Sequence, residues 1–162
     1  MIVEGTAARA ASWSWTGRCY REEVELATQS TLEFLDLTGT VALVVQRSGI
    51  AEGLVTVQSL HTTAAVIVNE DEPLLMEDLR ETLERAAPRR RTYRHDDFSR
   101  RAAVAPDEPV NGHSHCKALF LRASETLAVA DGRPRLGRWQ RVFLVELDGA
   151  RARTVSVTVL GV

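Results

Sequence analysis

Lysine is almost absent from this 162-residue chain: Lys117 is the only one among 20 basic residues, set against 22 acidic ones for a formal net charge of −2. Without a basic excess the chain lacks what a general nucleic-acid or membrane-surface binder needs, so neither partner is expected. Cysteine is nearly as scarce. Cys19 and Cys116 stand far apart and outside any C-x-x-C pair, which implies no disulfide framework. No apolar run approaches the ~20 residues of a membrane-spanning helix, and residues 1–5 lack the charged and apolar regions of a secretory leader. A cytoplasmic protein is the expectation. With 44% hydrophobic residues the chain can build one real core, and it is too short for two full domains.

Residues 1–14 are rich in alanine and serine with no period, and read as an N-terminal extension whose end Trp13 and Trp15 could pin. Residues 15–162 read as a single domain. In 16–28, Tyr20, Val24 and Leu26 alternate with charged residues, the pattern of a half-exposed strand. The apolar segment 41–46 behind Thr38 predicts a short helix with Thr38 as its cap, a strand being the alternative. Gly53 opens a β-branched strand leading into His61, and 63–68 continues as a second extended segment. Asp71, Glu72 and Pro73 start a helix in which Leu75, Leu79 and Leu83 recur at helical spacing as core, until Pro88 stops it. Residues 124–130, 137–148 and 154–159 read as strands, with Asp131-Gly132 and Asp148-Gly149 as hairpin turns of a closing antiparallel meander. The class is α+β, a mostly antiparallel sheet with two to three helices packed on one face.

Reactive side chains gather in three stretches. In 58–70, His61, Asn69 and Glu70 bracket an apolar run; an imidazole beside Thr62 and Thr63 can coordinate a metal or accept a proton, although it also reads as an ordinary strand end. Residues 88–110 form a long loop dense in ionisable groups, with Arg89, Arg90 and Arg91 followed by Tyr93, His95, Asp96 and Asp97. Three guanidinium groups near a site can clamp a phosphate, and away from one they are a solvated helix end. In the third stretch Asn111 suits an N-cap, which places His113 and His115 in the first helical turn. Positions i and i+2 point in different directions, so His115, which adjoins an apolar run, is the preferred candidate, and His113 reads either as a group supporting the site from behind or as one facing a ligand. Lys117 reads as a solvated helix lysine, Cys116 as a small buried hydrophobe, and Trp139 as core or subunit interface. His61, His95 and His115, with Glu70, Asp96 and Asp107 nearby, match the inventory of a zinc site that keeps one position open, and equally describe three unrelated histidines.

The stretches also occur in a telling order. His61-Thr62-Thr63-Ala64-Ala65 with Asn69-Glu70, Tyr93-Arg94-His95-Asp96, Asn111-Gly112-His113-Ser114-His115-Cys116-Lys117, and Gly137-Arg138-Trp139-Gln140 with Glu146 and Asp148-Gly149 resemble the YjbQ family, also called UPF0047, from about residue 20 to the C-terminus. The resemblance implies a small α+β fold, a homotrimer, and histidines clustered in a pocket that can hold a metal ion. It also implies the activity of a secondary thiamine-phosphate synthase, which joins a thiazole phosphate to a hydroxymethylpyrimidine diphosphate. By position, His61 matches the family's H-T-[ST]-A histidine, His95 that of Y-x-H-D, and His115 the last histidine of N-x-x-x-H. The chain departs from the family with Arg122-Ala123 in place of a glycine, and with Glu72-Pro73 in place of Asp-Pro.

These readings combine into one expected mechanism. His61, His95 and His115 hold a divalent metal such as zinc, or act directly as acid and base, and Glu70 and Asp96 orient them. Thr62, Asn69, Asn111, His113, Lys117 and Gln140 are the candidate substrate-binding residues, and nearby arginines receive a small phosphorylated metabolite. The competing expectations are a trimer that binds a metabolite or metal without turnover, and a metal-dependent hydrolase of a small phosphate ester.

Overall fold

Some strands of this chain alternate buried and exposed residues while others are apolar on both faces, and that difference sorts them into two sheets. A computed structural model describes residues 16–162; the predicted extension, with Trp13 and Trp15, lies outside the described residues. Strands β1 (Arg18–Ala27), β3 (Gly53–Ser59), β5 (Ser124–Ala130) and β8 (Ala152–Gly161) mostly alternate. With the two-residue β6 (Arg133–Pro134) they form an antiparallel sheet in the order β1-β8-β3-β5-β6. Strand β4 (Ala64–Glu70) is buried on both faces through Val66, and β7 (Gln140–Glu146) from Val142 onward. Both belong to the smaller antiparallel sheet, β2-β7-β4, with β2 spanning Phe34–Asp36.

The small sheet is the middle layer. Val55, Val57, Val129, Val155, Val157 and Val159 of the large sheet meet Ala64, Val66, Val142 and Leu144 of the small one, and each fully buried aliphatic side chain contributes about 1.5–3 kcal/mol. Helix α1 (Thr38–Ser48) adds Val41, Val44 and Val45 to that core. On the other face of the small sheet, Ala65 and Val145 pack with Leu83 of α2 (Pro73–Ala86) and Ala118 of α3 (Gly112–Ala118). The α+β antiparallel class holds, with two sheets where one was expected, and with α1 in a different layer from α2 and α3.

Several local expectations change. Segment 41–46 is helical, but Leu37 is its cap residue and Thr38 does not cap it; the Thr38 hydroxyl accepts the Val142 N–H at 2.9 Å, and Gly49 ends the helix in the left-handed region at φ 62°. In α2 the buried positions are Met76 and Leu83, seven apart, and Leu75 and Leu79 are only half-buried. Glu72 caps this helix, its carboxylate oxygens accepting from Leu74 and Leu75 N–H at 3.0 and 2.8 Å, so the longer acid does the work of the family's usual aspartate. Asp131 and Gly132, both at positive φ, make the two-residue β5–β6 hairpin turn as predicted. Asp148-Gly149 instead crosses between sheets: β7 pairs with β2 and β4, and β8 pairs with β1 and β3, so there is no closing meander. Arg122 accepts the Val66 N–H on its carbonyl at 2.9 Å and ion-pairs with Glu125 at 3.1 Å. Trp139 is 59% exposed and lies outside the core.

Candidate functional site

His61 sits just past the end of β3, where the Ser59 hydroxyl accepts its backbone N–H at 3.3 Å. Its Nε2 accepts the Thr154 N–H at 2.7 Å, which fixes the ring against the start of β8. Behind it, Arg153 occupies an inward position of β8, in phase with Val155, Val157 and Val159, and pairs with Glu146 across a distance of 2.5 Å. Arg153 also donates to the Thr63 hydroxyl at 3.0 Å, and Glu146 accepts from the Thr28 hydroxyl and the Asp148 N–H at 2.9 Å each. Burial alone would push the Glu146 carboxyl up, but the Arg153 guanidinium and the N–H and O–H donors outweigh it and hold it below the usual range. Burial, and then the Arg153 charge, push His61 below the ordinary histidine value, so its ring is a neutral acceptor at neutral pH.

The second half of the site is made where loop 88–110 folds back on α3. The Asp96 carboxylate accepts the Gly112 N–H at 2.8 Å, and Gly112 is required there: a Cβ would lie 2.5 Å from the Tyr93 Cβ. Asp96 thus holds the loop to the helix; it does not hydrogen-bond a histidine ring. The docking brings His95 and His115 edge to face with ring centroids 4.7 Å apart. His95 Nε2 is buried with no hydrogen-bond partner and lies 3.9 Å from Glu108, which is itself paired with Arg101 at 2.7 Å. Burial first, and the neighbouring His95 second, push His115 below the ordinary value. A cavity of about 420 Å³ opens here, walled by Arg91, Tyr93, Arg94, His95, His115 and Cys116. Cys116 is thus half-buried at a cavity wall and not a core hydrophobe. A larger groove of about 940 Å³ between α1 and the β5–β6 turn carries none of the predicted site residues, whereas the smaller cavity carries His95 and His115.

Lys117 is fully buried, contrary to the solvated role its helix position suggested. Its ammonium donates to the Ala87 carbonyl at 2.6 Å, meets Glu84 at 3.0 Å, and lies 3.3 Å from His113 Nδ1. These contacts tie the end of α2 to α3, since an unpaired buried ammonium would be costly. Burial, then the Lys117 charge, lower His113 as well, and with 2% of its surface exposed it lies in the protein interior, the position of a supporting group. Asn111 is buried at the N-cap position, but its side chain turns away from the helix and donates to Asp148 at 2.8 Å, leaving its Oδ1 without a partner.

Sequence-predicted residues therefore divide. His95, His115 and Asp96 come together, and Asn111 adjoins them through α3. Glu70 and Asn69 end β4, roughly 20 Å along the strand from its His61-proximal start at ~3.3 Å per residue, with Glu70 opposite Gln140. Gln140 is exposed and accepts the Gly137 N–H at 2.7 Å, while Thr62 is exposed next to His61. Among the described residues neither Glu70 nor Asn69 hydrogen-bonds a histidine; the Asn69 side chain accepts the Glu70 N–H at 2.9 Å. A three-histidine metal site does not fit these positions: the His61 Nε2 lone pair is committed to Thr154, and among the described residues no three His, Cys, Asp or Glu side chains converge on one point. Arg153, which pairs with Glu146 and Thr63, and Asp148, which holds Asn111, have contacts that the sequence did not assign to them. An arginine at an inward position of a valine strand was the available signal.

The profile of the family described as UPF0047 protein YjbQ-like matches residues 22–162. A UPF0047 protein of Methanothermobacter thermautotrophicus is 36% identical over 142 residues, 88% of this chain and 92% of the relative. A UPF0047 protein of Archaeoglobus fulgidus is 36% identical over 85% of this chain and 99% of its own length. Among solved structures, a YbjQ-like protein of unknown function from Sulfolobus solfataricus superposes with a TM-score of 0.81 at 33% identity, over 90% of this chain and 99% of that one.

Proposed function

Because this chain belongs to the YjbQ-like UPF0047 family, we propose that its cavity at His95 and His115 binds a small phosphorylated metabolite and that the two imidazoles act on it directly as acid and base. The observation that carries the reading is the His95–His115 pair itself, two rings 4.7 Å apart at the wall of a cavity that Arg91 and Arg94 also line. Guanidinium groups suit phosphate because their planar N–H forks match its oxygens. An imidazole with a buried, unpartnered nitrogen, as at His95, is ready to exchange a proton with a ligand.

The reaction within that class is the one that the resemblance implies. The thiazole nitrogen of a thiazole phosphate attacks the methylene carbon of hydroxymethylpyrimidine diphosphate, a carbon–nitrogen bond forms, and diphosphate leaves with the carbon–oxygen electron pair. Arg91 and Arg94 would neutralise the departing charge, and a protonated imidazole would donate to it. Val110, Leu119 and Phe120, exposed by 67, 83 and 63% on either side of α3, would be covered in the homotrimer that the same resemblance implies.

Diphosphate release that requires both precursors, lost in a His115→Ala protein of unchanged melting temperature, is the expected result. Diphosphate or phosphate released from one precursor alone would assign hydrolysis instead, and binding of both precursors without turnover would assign a metabolite-binding protein.

A further inference from the structure

One arginine near the site has no role in the reading above. Arg151 stands between β7 and β8, three residues before Thr154, whose N–H anchors His61. Its guanidinium lies 2.8 Å from Asp148 Oδ2; the Arg151 side chain is 38% exposed and that of Asp148 only 8%. The same carboxylate oxygen accepts from Asn111 Nδ2 at 2.8 Å. The Asn111 carbonyl in turn accepts the backbone N–H groups of Ser114 and His115, at 2.8 and 3.4 Å. A single buried carboxylate thus joins the strand start that anchors His61 to the helix that carries His115. Asn111 is only 5% exposed, and its Oδ1 has no partner, so the linkage also leaves a buried acceptor unused.

We propose that Arg151 forms a second anion position, held in place by Asp148 and Asn111 between His61 and His115, and that the site therefore receives phosphoryl groups at two positions, from one ligand or from a pair of ligands. This rests on the phosphate reading of the cavity and extends it. Arg91 and Arg94 serve one anion on the loop side of His115, and Arg151 serves the other. Among the described residues the Arg151 guanidinium has one recorded contact, a terminal nitrogen against the buried Asp148 carboxylate. An arginine so fixed needs little ordering when an anion arrives, and its free N–H groups present the fork that phosphate matches. Arg151 and Asp148 are also close enough to bear on both histidines: the Arg151 charge lowers His61, and the Asp148 charge raises His115 against the stronger effect of burial.

The test is calorimetric titration of the full chain with inorganic pyrophosphate, in the wild type and in Arg151→Gln, Arg151→Lys and Arg94→Gln. Wild-type binding that weakens about tenfold in Arg151→Gln, which is ~1.4 kcal/mol, is the expected result. Arg94→Gln should weaken it separately, and Arg151→Lys, with the charge but not the fork, should restore part of the loss. Because Arg151 is exposed, Arg151→Gln should melt with the wild type; if it does not, the Arg151→Lys protein carries the comparison. Wild-type binding that falls in Arg94→Gln but not in either Arg151 variant would overturn the second anion position and leave the cavity reading standing. No pyrophosphate binding by the wild type would overturn both.

Discussion

The two ends of this site are built on opposite plans. At His61 the support is strand, and its polar groups are matched: Glu146 against Arg153, Thr28 and the Asp148 N–H, and the His61 ring against Thr154. At His95 and His115 the support is a long loop laid on a seven-residue helix, and two buried polar atoms, His95 Nε2 and Asn111 Oδ1, have no partner. A fully matched polar network stabilises a scaffold, whereas a buried polar group without a protein partner is left able to accept one from outside the chain. On the proposed function, the first end is the frame and the second the working surface.

The largest way to break that contrast is at the frame. Arg153→Leu leaves the Glu146 carboxylate buried and unpaired, which should cost about 3–5 kcal/mol in urea denaturation. If the loss were instead below ~1 kcal/mol, within the range of an ordinary surface ion pair, the frame would not depend on this pair.

Gly112→Ala tests the working end. Its Cβ would strike Tyr93, so the loop must lift, at about 1–3 kcal/mol as for other overpacked contacts. Pyrophosphate binding should fall more than stability does, because Arg91, Arg94 and His95 all ride on the displaced loop. Equal losses of binding in Gly112→Ala and Arg153→Leu would erase the distinction between frame and surface.

The smallest effect is on pH. His61, His113 and His115 all have folded pKa values below the ordinary histidine value, mainly through burial. The unfolded chain therefore binds more protons, and the stability these rings contribute is fully present above the unfolded value of about 6.5 and is lost as pH falls through their lower folded values. Melting temperature should fall as pH drops below that point, and His113→Gln should flatten the fall because it removes the ring that the Lys117 ammonium also opposes. An unchanged slope in His113→Gln would assign the pH dependence to the other two histidines.

The sequence by itself determined the α+β class, the ends of α2, the β5–β6 turn and the order of the family's motifs. Each of these rests on a local rule: the period of apolar residues, the acidic and proline start of a helix, or an Asp-Gly pair at positive φ. It also marked His95 and His115, which lie on the two segments that dock through Asp96 and Gly112. Tertiary structure alone decided that the strands split into two sheets, that Lys117 is buried, and that Glu70 and Asn69 end β4 away from His61. It alone showed that the His61 Nε2 is already committed to a backbone N–H. The reason is that these outcomes depend on partners far away in the chain. Lys117 is held by Ala87, Glu84 and His113, and Asp148 joins Asn111 to Arg151; a side chain's neighbours in sequence carry no record of which distant group will satisfy its charge.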